Sequence, residues 1–220
     1  MRIVIAGGHG RIALRLERLL SGRGDQVAGL IRNPDHADAL RAEGAEPILL
    51  DLEKATVTEV ADRINDADAV VFAAGAGPGS GAPRKETVDK NAAILLADAA
   101  HLTGVRRYLM VSSMGADDEP PADADPVFAA YLRAKGAADA DLRTRTFDID
   151  WTVLRPGRLT DDPGTGRVAL AERAERGSVT RDDVAAVLVA LLDEPATAHR
   201  SFDLVQGDTP IADAVAATVR

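Results

Sequence analysis

Six short apolar runs, each followed by an amphipathic stretch, limit most tightly how this chain can fold. The runs are RIVIAG (2–7), QVAGLIR (26–32), PILLDL (47–52), DAVVFAAG (68–75), RRYLMVSS (106–113) and DIDWTVLRPG (148–157). A strand with one wet face alternates apolar and polar residues, and these do not. That is the pattern expected where helices cover both faces of a parallel sheet. The stretches between them predict helices: RIALRLERLLSG (11–22) closed by Gly22, a short helix opened by Pro34, TVTEVADRI (56–64), KETVDKNAAILLADAAHLTG (85–104) and AAYLRAKGAADADL (129–142). Consecutive βα units of this kind imply a doubly wound sheet with right-handed crossovers. The remainder, RVALAERAERGSVTRDDVAAVLVALLDEP followed by SFDLV, predicts a further helix and a seventh strand. The expected architecture is therefore one α/β domain over residues 1–220, with about seven strands and helices on both faces.

Composition narrows the function classes. A formal charge of −9 argues against a surface built to grip nucleic-acid phosphates. The longest apolar run, AVVFAAGAG, is too short to span a bilayer, and the N-terminus enters a strand pattern at once rather than a leader pattern. Cysteine is absent, which excludes thiol chemistry and fits a cytoplasmic protein by default. The four histidines, His9, His36, His101 and His199, are scattered, so no metal site is expected. The expected partners are a small-molecule substrate and no nucleic acid or membrane, with the chain a monomer or small homo-oligomer.

The turn AGGHGRIA joins the first strand to the first helix with the spacing Gly7-x-x-Gly10-x-x-Ala13. Gly7 permits a tight turn, Gly10 lets backbone approach a pyrophosphate, and Ala13 allows close helix–sheet packing. The helix N-terminus then offers unpaired N–H groups to phosphates. Gly7, Gly8, His9, Gly10, Arg11 and Ile12 are accordingly expected to cradle a dinucleotide. At the end of the second strand, LIRN places Arg32 where a carboxylate would otherwise read a ribose 2′-hydroxyl. An arginine there suits a 2′-phosphate, and Arg11 could supply a second guanidinium. NADP(H) is thus preferred, with NAD(H) as the alternative. Asp51 and Leu52 are placed to meet the adenine, and Ala73, Ala74 and Gly75 bring backbone near the cofactor without bulk.

The helix 129–142 carries Phe128, Tyr131, Leu132, Lys135, Ala138 and Leu142 on one stripe, and Lys135 breaks its apolar pattern. It follows a strand tipped by Ser112 and Ser113. Carbonyl reduction needs a hydride donor and an acid for the developing alkoxide. A tyrosine beside an ammonium can be that acid, and a serine hydroxyl can orient the substrate oxygen.

These motifs occur in the order seen in short-chain dehydrogenases/reductases, whose nucleotide-binding domain is the Rossmann type. The Gly7-x-x-Gly10-x-x-Ala13 form and LRPGRLTDDPGTG resemble the family's atypical NAD(P)-binding branch. That branch includes NmrA-like proteins, flavin/biliverdin reductase-like enzymes and proteins assigned as epimerases or dehydratases. The resemblance implies that Ser113, Tyr131 and Lys135 occupy the catalytic positions. It further implies that Ser112 lies beside the cofactor and that Pro156 and Gly157 contact the nicotinamide end. The expected function is NADP(H)-dependent hydride transfer to a small carbonyl, quinone or flavin-like substrate, chosen by loops 75–84, 114–127 and 158–180. The alternatives are a non-catalytic NADP(H) sensor and, third, a sugar-nucleotide epimerase or dehydratase. The third fits least, because only about sixty residues follow the sixth strand. The serine-to-tyrosine separation is longer than is usual in that family, because the acidic loop 115–126 intervenes.

Overall fold

A computed structural model describes residues 1–77, 79–146 and 148–219. Of the expected loop 75–84, Pro78 lies outside the described residues. The strands are β1 (Arg2–Ala6), β2 (Gln26–Ile31), β3 (Glu46–Leu49), β4 (Ala69–Phe72), β5 (Arg107–Val111), β6 (Asp150–Pro156), β7 (Arg158–Thr160), β8 (Arg167–Ala171), β9 (Ser178–Thr180), β10 (Arg200–Gln206) and β11 (Thr209–Pro210). The helices are α1 (Arg11–Gly22), α2 (Ala37–Ala42), α3 (Val57–Ile64), α4 (Gly81–Arg84), α5 (Ala92–Thr103), α6 (Pro126–Arg143), α7 (Arg181–Leu192) and α8 (Ile211–Ala217).

Seven strands, ordered β3-β2-β1-β4-β5-β6-β10, run parallel. The order reverses between β1 and β4, where ligands enter sheets of this type. The apolar runs behave as the missing alternation requires: β4 and β5 are buried along their full length. One core layer packs α1 against α7, and the other packs α3 against α5. The amphipathic spacing of α1 buries Ile12, Ala13, Leu16 and Leu20, and with them Glu17. Helix α3 starts on a capping box between Thr56 and Glu59, and α5 stops at Gly104, whose φ of 73° suits glycine. This is a single-domain α/β Rossmann-like fold.

Three local expectations need correction. RVALA is strand β8 rather than part of a helix, and the helix in that region is confined to α7. β8 lies antiparallel on β10 and carries β11 on its far side, so the sheet has nine strands. Pairing satisfies the backbone groups that β10 would otherwise leave open at an edge, and Val168 is fully buried there. The helix expected over 85–104 begins as a π-helical stretch, Lys85–Asn91, which turns Lys85, Val88 and Asp89 inward. The third strand stops at Leu49, because Asp51 accepts from the backbone of Glu53, Lys54 and Ala55 and bends the chain into a turn. The edge strands β3 and β11 each contain a proline, Pro47 and Pro210. Among the described residues no helix is long and apolar enough to cross a membrane.

Candidate cofactor and active site

The turn after β1 tolerates little but glycine. Gly7 has φ of 84°, and a Cβ on it would lie 2.6 Å from the Ala74 Cα. The Gly10 amide donates to the Gly7 carbonyl at 2.8 Å and closes the turn. Gly10 caps α1 without any side-chain hydrogen bond, so the first amides of the helix face outward unclaimed by a cap. Gly8 sits behind the turn. A Cβ on it would lie 2.8 Å from the Gly29 Cα and 2.9 Å from Glu17 Oε1. Beneath this point Glu17 is fully buried with neither carboxyl oxygen hydrogen-bonded, and burial, with Glu43 nearby, pushes its carboxyl up to about 8.

Two cavities flank the turn along the carboxyl edge of the sheet. One, of about 260 Å³, is bounded by His9, Arg32, Asp51, Leu52 and Arg84. The other, of about 570 Å³, is bounded by Arg11, Ile12, Ser112, Tyr131 and Lys135. Gly10, Ala73, Ala74 and Gly75 line both. A glycine cradle that a Cβ would fill, an open helix N-terminus and a cavity on either side fit a nicotinamide dinucleotide laid across the turn.

The expected cofactor residues divide between these spaces. Arg32 faces the smaller cavity, and its Nη1 donates to Glu53 Oε2 at 2.9 Å. The acid missing from the end of β2 thus arrives from the turn after β3. Arg11 lines the larger cavity, where it pairs with Asp161, so it is not a second guanidinium beside Arg32. Arg84 takes that place, with Nη2 at 2.7 Å from Glu53 Oε2. His9 stacks on His36 with ring centres 3.6 Å apart, and burial together with that neighbour lowers the His9 pKa. Pro156 and Gly157 line neither cavity. The Gly157 amide donates to the Leu204 carbonyl, and the Pro156 carbonyl accepts from Met114, so the backbone of both is committed inside the fold. Leu159 faces the larger cavity instead.

Tyr131 and Lys135 share the larger cavity but do not form an isolated pair. Lys135 is 3% exposed, and its Nζ donates to the carbonyls of Val111 at 3.1 Å and Ala74 at 3.4 Å. It lies 3.5 Å from Asp89 Oδ1. Asp89 is fully buried, and its Oδ2 accepts from the Ala76 amide. Among the described residues the Tyr131 hydroxyl has no hydrogen-bond partner. The Tyr131 ring stacks on Phe128 with centres 6.0 Å apart, and the Lys85 ammonium lies 5.7 Å from its centre. Lys85 is held by the Gly77 carbonyl at 2.8 Å. Phe128 was placed on the core-facing stripe, yet it is 47% exposed at the cavity mouth.

Of the two serines, Ser112 borders the larger cavity and Ser113 does not. Ser112 is buried, lines the larger cavity and lies against the buried Asp139. Ser113 lines neither cavity, and its hydroxyl makes only a 3.4 Å contact with the Met114 carbonyl. Asp139 is in turn held by Arg155, whose Nε and Nη2 donate to Oδ2 at 2.9 and 2.8 Å. Lys85, Asp89, Glu53 and Arg84 were not singled out by sequence. Glu53 reaches the site from the turn after β3, Arg84 from the end of α4, and Lys85 and Asp89 from the π-helical stretch, each far in the chain from Arg32, Tyr131 or Lys135.

A model of the NAD(P)H-binding family matches residues 7–195. The chain is 36% identical over 216 residues to the uncharacterized sugar epimerase YhfK of Bacillus subtilis, covering 98% of this chain and 99% of that protein. A Bacillus halodurans structure, provisionally assigned as an NAD-dependent epimerase/dehydratase, superposes with a TM-score of 0.90 at 34% identity over 99% of both chains. ChuY from Escherichia coli O157:H7, an anaerobillin reductase, superposes with a TM-score of 0.77 at 26% identity over 94% of this chain and 98% of that one.

Proposed function

The chain belongs to the NAD(P)H-binding family, and from that premise we propose that it is an NADP(H)-dependent oxidoreductase. Its substrate would be a small carbonyl, quinone or flavin-like compound. The observation that carries this reading is the Tyr131 hydroxyl, unpartnered among the described residues, in a cavity that continues into the glycine turn. The reductase name of one structural relative agrees with it. When bound, the cofactor supplies or accepts the hydride. Tyr131 moves the accompanying proton at the substrate oxygen. Lys85, held by the Gly77 carbonyl rather than by a carboxylate, lies with its ammonium 5.7 Å from the centre of the Tyr131 ring. Lys135, anchored by Asp89 and two carbonyls, lines the same cavity as Tyr131. Ser112 borders the same cavity with its hydroxyl buried, whereas Ser113 lies outside it.

Turnover of NADPH with a panel of carbonyls, quinones and flavins tests the reading. Tyr131→Phe is expected to lower turnover by about 10²-fold or more, the usual contribution of a general acid, while NADPH still binds. Unchanged turnover in that variant would remove Tyr131 from the chemistry. A sensor is the second reading, favoured by the neutralisation of Lys135 by Asp89. Tight NADPH binding by the unaltered protein with no turnover on any member of the panel would select it. An epimerase, as the Bacillus subtilis relative is named, or a dehydratase would instead turn over a sugar nucleotide.

A further inference from the structure

We propose that Glu53 is a built-in rival for the cofactor's 2′-phosphate, and that Arg84 joins Arg32 as the pair of guanidiniums for which the two anions compete. The proposal rests on the reading of NADP(H) as the cofactor, with its adenosine half in the smaller cavity, which Arg32, Asp51 and Leu52 line. Four donors converge on the Glu53 carboxylate. Arg32 Nη1 and Arg84 Nη2 reach Oε2 at 2.9 and 2.7 Å, and Arg84 Nε and Thr87 Oγ1 reach Oε1 at 3.3 and 2.7 Å. The donors come from two segments, the end of β2 and the stretch after β4, and meet Glu53 on the turn after β3. Two guanidinium forks and a hydroxyl on one point make a donor set suited to phosphate as well as carboxylate.

Charge makes the occupancy exclusive. Two arginines and one glutamate leave a net charge of +1, and Asp51 is balanced by Lys54 at 3.4 Å. The Arg84 hydrogen bond foremost, then those of Thr87 and the nearby guanidiniums, holds the Glu53 carboxyl below the usual range, so it is ionised at neutral pH. A phosphate dianion cannot share those donors with a carboxylate, because two anions in contact repel. Glu53 is 22% exposed at its side chain and sits on a turn, so solvent is open to it once displaced. A 2′-hydroxyl finds the carboxylate already saturated, since its roughly four acceptor positions are filled. Glu53 therefore weakens NADP(H) binding relative to what Arg32 and Arg84 alone would give, and leaves NAD(H) nearly untouched.

Calorimetric binding of NADPH and NADH, with adenosine 2′,5′-bisphosphate and 5′-AMP as probes of the 2′-phosphate, tests this. In Glu53→Gln, NADPH and the bisphosphate are expected to bind about tenfold tighter, the scale of one charge-assisted hydrogen bond, with NADH and AMP within about twofold of the unaltered protein. Arg84→Ala is expected to weaken only the two 2′-phosphorylated ligands, by about tenfold or more. Glu53→Ala repeats the first result without an amide that could hydrogen-bond, and thermal melts confirm that each variant is folded. The proposal is overturned if Glu53→Gln and Glu53→Ala leave the NADPH-to-NADH preference unchanged, or if Arg84→Ala weakens both cofactors equally. In either case binding of the cofactors themselves, and with it the reading of the site, would stand. Binding of neither cofactor by the unaltered protein would remove both.

Discussion

Replacing Glu17 by glutamine should make the protein more stable, and by an amount that grows with pH. The carboxyl is fully buried under the glycine turn without a hydrogen-bond partner, and it titrates near 8 in the folded protein against 4.5 when exposed. Between those values the folded chain keeps a proton that the unfolded chain has released. Stability therefore falls as pH rises through this window, and levels off above it. At about 1.4 kcal/mol per unit the full loss is on the order of 5 kcal/mol, a large share of the roughly 5–15 kcal/mol typical of a folded domain. Glutamine carries no charge, so the variant should match the unaltered protein near pH 5 and exceed it by several kcal/mol near pH 9. Carboxylates held low by their partners, such as Asp25, Glu43 and Asp150, titrate below the window. The lowered His9 gives a small opposite slope just below its exposed value, and Asp139, pushed up by burial, gives a parallel one. Both are common to the two proteins and cancel in the difference. Urea unfolding of both at pH 5, 6.5, 8 and 9 reads the result. A difference that stays constant with pH would show that packing, not ionisation, distinguishes them.

Two further outcomes follow from the site. Lys135→Met strips the buried Asp89 of its counterion and should cost about 3–5 kcal/mol in urea unfolding, and Lys135→Met with Asp89→Asn should recover much of it; equal costs would deny the pairing. Gly7→Ala combines a φ of 84° with a Cβ 2.6 Å from the Ala74 backbone, so NADPH binding, followed by its fluorescence, should be lost; retained affinity would contradict the cradle.

The parallel sheet was legible in the chain because burial on both faces leaves a mark on every strand. The glycine turn was legible because backbone conformation and close approach restrict residue type at single positions. What escaped depends on which segments meet. RVALA is too short and too mixed to declare itself a strand, and it becomes one because β10 presents a free edge. Arg32 suggested a phosphate site, but the partners that decide its charge, Glu53 and Arg84, are 21 residues from Arg32 and 31 from Glu53 respectively. Likewise the Tyr131–Lys135 spacing placed both on one helix without showing that Asp89, from a π-helical stretch, would claim the lysine. Adjacent serines differ in which way a chain leaving β5 turns them, and residue type alone does not tell them apart.

The prolines in the edge strands bear on how copies of this protein can meet. The Leu50 amide donates inward to Ile31, so alternation turns the backbone of Pro47 and Leu49 outward from β3. At the opposite end the Ile211 amide donates to Gly166, which likewise turns Pro210 outward from β11. At both margins an outward-facing position where an incoming strand would seek an amide has none to give. Leu49, 57% exposed, is the one apolar side chain of β3 left as a lure, and the missing donor beside it blunts aggregation through that margin. Self-association by continuing the nine-stranded sheet from one molecule into the next is therefore disfavoured at both ends.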